Sequence, residues 1–145
     1  MGRAGEVRER FAATLLDCPP SLGPVTVNAL TAADRVIIPV QAEFLALEGL
    51  VQFMDTLQTV RKQMNPGLVL TGILITMSDD RTNLAQDVEN ELRTHFPELV
   101  LKTVVPRSVR IAESPSFALP VTEHAPGSRG ARAYEALAEE VLARG

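Results

Sequence analysis

The sequence predicts an α/β fold: a mainly parallel sheet with helices on both faces. Three observations carry that reading. Short apolar runs with no charge recur along the chain, and longer stretches with apolar residues at helical spacing stand between them. The runs do not alternate with polar residues, so they suit strands covered on both faces. Strand and helix patterns alternate throughout, with turn residues such as Asn65-Pro66-Gly67 at the junctions, which is the order of parallel crossovers.

In chain order, Val7–Phe11 reads as the end of a helix and Ala13–Asp17 as a continuous apolar strand. That strand ends on an acid, Pro19 and Pro20 forbid its continuation, and Gly23 frees the backbone to turn. Leu22–Ala33 is helical in pattern, with Val25, Ala29 and Ala32 on one side. Val36–Val40 is a second buried strand. Phe44–Met64 is the longest helix, on which Leu47, Leu50, Val51, Met54, Leu57 and Met64 recur; Asn65-Pro66-Gly67 stops it. Leu68–Thr76 is the next strand. Asn83 and Gln86 then resemble a capping box, opening a helix with Leu84, Val88, Leu92 and Phe96 on one face. Pro97 ends it. Leu99–Val105 is a fourth strand, and Pro106–Pro120 is an irregular, proline-rich stretch. Ser128 caps a last helix whose apolar stripe is Tyr134, Leu137, Val141 and Leu142. No repeat or linker divides the 145 residues, so they read as one domain.

Composition narrows the chemistry. A formal charge of −4 argues against indiscriminate nucleic-acid binding by the whole surface, though Lys102, Arg107 and Arg110 precede the next acid, Glu113, and form a local basic cluster. Cys18 is the only cysteine, so no internal disulfide forms and a reducing, cytoplasmic setting fits; a small buried filler is its expected role. No apolar run reaches membrane-spanning length, and the last helix closes on Ala143-Arg144-Gly145 without a basic, bulky-apolar tail. His95 and His124 lack partners at metal-ligand spacing, and Ser21 and Ser114 lack a catalytic histidine or elbow motif. With one tyrosine and no tryptophan, a base-stacking platform for single strands is not expected.

Asp17-Cys-Pro-Pro-Ser-Leu-Gly23, Asn28-Ala-Leu-Thr-Ala-Ala-Asp34, Ile38-Pro-Val-Gln41 and Ala46-Leu-Glu-Gly-Leu50 belong to a larger pattern. Arg81-Thr-Asn-Leu84, Pro106-Arg-Ser-Val-Arg110, Ala112-Glu-Ser-Pro-Ser116 and Ser128-Arg-Gly-Ala131 complete it. Eight such segments in order, from about Phe11 to the last helix, closely resemble the C-terminal part of the ParA/Soj-type chromosome- and plasmid-partitioning ATPases, deviant Walker A members of the P-loop NTPases. The resemblance implies a Rossmann-like P-loop NTPase domain, represented here by its C-terminal portion. It implies ATP and Mg²⁺ as cofactors, a homodimer formed on ATP binding, non-specific contact with double-stranded DNA, a centromere-binding ParB-type partner and a nucleoid-associated, cytoplasmic location. It assigns Asp17 to the magnesium site, through water in the family's manner, Thr76, Met77, Pro106 and Arg107 to loops facing the adenine, and Arg81 and Arg110 to DNA phosphates.

One departure bears on activity. Lys62 and Lys102 are the only lysines, and no glycine–lysine pair occurs. The glycine-rich loop whose amides and lysines cradle the β- and γ-phosphates is therefore not in these 145 residues, which should not hydrolyse ATP alone. The primary expectation is a cut portion of a partition ATPase. The alternative is a stand-alone, non-catalytic module for DNA or a partner; a small flavodoxin-like ligand domain is a third reading. The family's first strand would lie beside the one ending at Asp17, so a slot or open sheet edge and an associating chain are expected.

Overall fold

Three parallel strands form the centre of the structure, a computed structural model that describes residues 11–43 and 46–144. They are β1 (Arg35–Gln41), β2 (Val69–Ser78) and β3 (Val100–Pro106), in the spatial order β1-β2-β3. α1 (Pro24–Ala32) precedes them; α2 (Ala46–Gln63) links β1 to β2, and α3 (Asn83–His95) links β2 to β3. Both crossovers step the same way along the sheet, so a common handedness places both helices on one face. There Leu50 of α2 and Ala85, Val88 and Leu92 of α3 cover Ile38, Val40, Ile73, Ile75 and Val100.

After β3 the chain forms α4 (Val109–Glu113), a 3-10 turn (Ser114–Phe117), α5 (Val121–His124) and α6 (Arg129–Ala143). These supply the second layer: Leu74, Leu101 and Val105 meet Ile37, Ile111, Ala133 and Leu137. Two glycines permit the close approach. A Cβ on Gly72 would lie 2.6 Å from Leu101, and one on Gly130 would lie 2.7 Å from Ile111. The α/β architecture with helices on both faces is thus as the sequence predicts.

Several boundaries and faces differ. Ala13–Asp17 forms no strand: none of its residues is in a ladder, and Leu15 is 93% exposed. A buried parallel strand is stable only between neighbours that take its amides and cover both its faces, and this run has neither. The described residues therefore hold three strands, not four. The Val7–Phe11 helix end lies outside the described residues except for Phe11, and the Phe44 start of the long helix lies outside them too.

On α1 the buried residues are Thr26 and Leu30, while Val25 is exposed. Leu30 packs with Leu57, Val60 and Leu68, so the helix is oriented by its seat on α2. Val51 and Met64 of the predicted α2 stripe are exposed, and Val60 replaces them. Thr82, not Asn83, caps α3, its Oγ1 accepting from the Ala85 amide at 3.3 Å; Ala85 is buried where Leu84 was expected. The Pro106–Pro120 stretch is helical in part. On α6, capped by Ser128 as predicted, Tyr134 and Leu142 face outward and Gly130 and Ala131 are buried.

Candidate functional site

Because the strands are parallel, their carboxyl ends share one rim, the usual crevice of open α/β sheets. Gln41, Thr76–Ser78 and Pro106 stand there. The Ala42 amide donates to the Thr76 carbonyl at 3.2 Å, and the Arg107 amide donates to the Ser78 carbonyl at 2.8 Å. Those two bonds hold the three strand exits together. The proposed base-facing residues Thr76, Met77, Pro106 and Arg107 are therefore neighbours, although thirty positions separate the two pairs in sequence. Met77 has φ of 52°, the left-handed region, which turns the backbone just before β2 ends. No periodicity or motif signals that conformation.

Asp17 is exposed, on a segment without regular structure. It lines a cavity of about 830 Å³ between residues 16–22 and β1, together with Cys18, Ser21, Gln41 and Glu43. Most of the wall is apolar, including Leu16, Val36, Ile38, Val40, Leu50 and Phe53, and among the described residues no lysine or arginine contributes. Cys18 is only half buried, not the enclosed filler expected. A magnesium–triphosphate group does not fit this donor set. Mg²⁺ takes a carboxylate or two plus phosphate and water oxygens, and the phosphates need cations or convergent amides. Among the described residues no group of three or more His, Cys, Asp or Glu side chains could hold a metal.

Arginines rather than lysines mark the rim, and each has an acid on it. Arg81, in the β2–α3 connection, grips Asp79 with two bonds: Nε to Oδ1 at 2.8 Å and Nη2 to Oδ2 at 2.7 Å. Its side chain is nevertheless 87% exposed. The paired guanidinium, with the Arg81 amide also donating, pulls the Asp79 carboxyl far below its ordinary range, and Asp79 raises Arg81 in turn. Arg107 reaches Glu43 at 3.3 Å, and Arg129 at the start of α6 pairs with Asp80. Arg110 on α4 donates to Glu113 at 2.7 Å and is 64% exposed. Arg81 thus stands in the connection after β2, and Arg110 at the start of the helix after β3.

The linear cluster of Lys102, Arg107 and Arg110 does not survive folding intact. Lys102 lies within β3, about 13 Å of strand before Pro106. Arg129 joins the rim instead, lining a second recess with Asp80, Thr103, Pro106 and Arg132. A serine cap followed by arginine was legible in sequence, but its pairing with Asp80, 49 positions earlier, was not. His124 is likewise more than a turn residue, since it packs on Phe117 and meets Glu113. No helix among the described residues is long and apolar enough to cross a membrane.

Comparison with known proteins agrees with this geometry. A family model described as AAA domain matches residues 3–70. The chain is 57% identical over 136 residues to the chromosome-partitioning ATPase Soj of Thermus thermophilus, covering 94% of this chain and 55% of that protein. It is 49% identical over 139 residues to the sporulation initiation inhibitor protein Soj of Bacillus subtilis, covering 96% and 55%. Among solved structures, cobyrinic acid a,c-diamide synthase from Mycobacterium smegmatis with bound ADP and magnesium superposes with a TM-score of 0.76 at 36% identity, over 96% of this chain and 49% of that one. The cell division ATPase MinD of Pyrococcus furiosus has a TM-score of 0.78 at 21% identity, over 98% and 56%, which shows the shared fold. The chain spans about half the length of the curated relatives it matches. Across that span it belongs to the ParA/Soj-type family of partitioning ATPases.

Proposed function

We propose that the chain serves DNA segregation as a ParA/Soj-type protein, its rim arginines meeting the phosphates of double-stranded DNA without reading sequence. The observation that carries this reading is the set of exposed arginines at the strand exits, with Arg81 in the connection after β2 and Arg110 at the start of α4 after β3. Phosphate oxygens can replace the carboxylates now on those guanidinium groups, because each offers a pair of oxygens to the planar guanidinium fork. An acidic protein can bind DNA through such a local patch, with affinity that falls steeply as salt rises. In the same reading ATP and Mg²⁺ are cofactors of the family's phosphate-loop-bearing proteins, which dimerise on ATP, a ParB-type centromere-binding protein is the partner, and the protein works on the nucleoid in the cytoplasm.

The 145 residues read as one partial domain of that protein. Thr76, Met77, Pro106 and Arg107 supply a base-facing wall, and Asp17 supplies one carboxylate for the magnesium site. These residues provide no cradle for the β- and γ-phosphates, so the chain alone does not turn over ATP. Phosphate release from ATP by the purified chain, abolished by Asp17→Ala, would contradict this.

DNA binding tests the arginine assignment directly. The double variant Arg81→Ala plus Arg110→Ala should weaken binding to a duplex of arbitrary sequence. It should also reduce the slope of log affinity against log salt by about two. An unchanged slope would remove both residues from the interface.

A further inference from the structure

Arg110, Glu113 and His124 make a three-group cluster that the DNA-binding assignment of Arg110 alone does not use. Glu113 Oε1 accepts from Arg110 Nη1 at 2.7 Å and lies 3.1 Å from His124 Nε2. A carboxylate oxygen only accepts, so Nε2 carries the proton in that bond. One oxygen thus accepts from two donors on two different helices. His124 has little freedom: its side chain is 12% exposed, and its ring stacks on Phe117 with centroids 4.5 Å apart. The backbone of this knob is also tightly wound. Ser114 is buried and donates to the Ile111 carbonyl at 3.0 Å, and Ala118 closes the 3-10 turn in the left-handed region with φ of 53°. The cluster is built rather than a chance surface contact.

We propose that Glu113 and His124 are positioning residues that set how much of the Arg110 charge is available to phosphate, and that protonation of His124 releases it. The inference rests on the reading that Arg110 meets DNA. With His124 neutral, the single charge on Glu113 is balanced by Arg110. With His124 protonated, the imidazolium balances Glu113, and the Arg110 guanidinium is left with uncompensated charge facing solvent. The hydrogen bonds from His124 and Arg110 hold the Glu113 carboxyl below its ordinary range, so it stays ionised throughout the histidine range. The surroundings of His124 are accounted for from each packed element. Glu113 and Arg110 come from α4, and the 3-10 turn brings Phe117 and no charge. α6, which packs against α5, carries Arg129, engaged by Asp80, and Arg132 in its first turns, and Glu123 precedes His124 on α5 itself.

The test is the affinity of the 145-residue chain for a short labelled DNA duplex at fixed salt, measured between about pH 5.5 and 7.5, a window that spans the ordinary range of an imidazole. Wild-type affinity should rise about threefold to fivefold on acidification, the worth of one partly exposed charge. His124→Gln should remove most of that rise, whereas His95→Gln should keep it. Glu113→Gln should bind at pH 7.5 about as well as wild type does at pH 5.5. A His124→Gln chain that keeps the full rise overturns the proposal, as does a Glu113→Gln chain that binds more weakly than wild type. Arg110→Ala separates the two levels. If it leaves affinity unchanged, the DNA assignment of Arg110 falls and the latch with it; if it weakens binding while His124→Gln has no effect on the pH profile, only the latch falls.

Discussion

The two edges of the sheet are finished in opposite ways. Along β3 the side chains of α6 and α3 close the edge. Glu140 accepts from the amides of Lys102 and Thr103, both at 2.8 Å. Arg144 donates to the carbonyls of Thr71, Glu98 and Val100, and Arg93 donates to that of Leu101. An ion pair joins Glu140 and Arg144 at 3.1 Å. Along β1 there is instead the 830 Å³ cavity, walled by the unpaired 16–22 segment. Leu15 and Leu16, which a buried strand would enclose, are exposed. A parallel edge is stable when its amides and carbonyls find fixed partners, and side chains can provide them; an apolar edge without them invites association.

Core truncation should separate the edges most. Leu101→Ala removes a fully buried side chain beneath α6 and should cost about 2–5 kcal/mol in denaturant melts. The same loss at Leu16→Ala should stay within about 0.5 kcal/mol, because Leu16 is half exposed. Equal costs at the two sites would break the contrast. Next in size, Gly72→Ala should cost about 1–3 kcal/mol, since the new methyl must displace Leu101 against the backbone.

Glu140→Gln should cost about 1–2 kcal/mol at neutral pH by weakening the two amide bonds. Burial opposes ionisation of Glu140, but the Lys102 and Thr103 amides and Arg144 outweigh it and lower its carboxyl below the ordinary 4.5. The sign follows: its contribution is complete above about pH 4.5 and fades as pH falls through the lower folded value. The stability gap between wild type and Glu140→Gln should therefore close in acid, and a gap that widens would contradict the assignment. The smallest effect on stability belongs to Leu15→Ser, within about 0.5 kcal/mol. That variant should still reduce self-association in light scattering, and undiminished association would clear the β1 side of blame.

Much of the architecture was legible in sequence because the relevant signals are local. The runs at Val36–Val40, Leu68–Thr76 and Leu99–Val105 each became strands within two residues, and Asn65 ends α2 as expected. Asn65 does more than end it, since its side-chain amide also ties down the Leu30 and Ala33 carbonyls of α1. Helix faces were less legible. Thr26 rather than Val25, Val60 rather than Met64, and Ala85 rather than Leu84 are buried. On a short helix with apolar residues on several sides, the neighbour that it meets decides which side is covered.

For the site, sequence alone determined the residue types and their family: an acid after an apolar run, arginines following two strands, and no lysine-bearing phosphate loop in the 145 residues. Only the tertiary structure decided what these residues can reach. Parallel pairing brings Thr76 and Met77 beside Pro106 and Arg107, and separates Lys102 from the rim. It also gives Arg107 and Arg129 carboxylates from distant parts of the chain, Glu43 and Asp80, whereas Arg81 and Arg110 pair locally with Asp79 and Glu113. The Ala13–Asp17 run has strand chemistry but no strand, because a ladder requires a neighbour and local sequence cannot supply one.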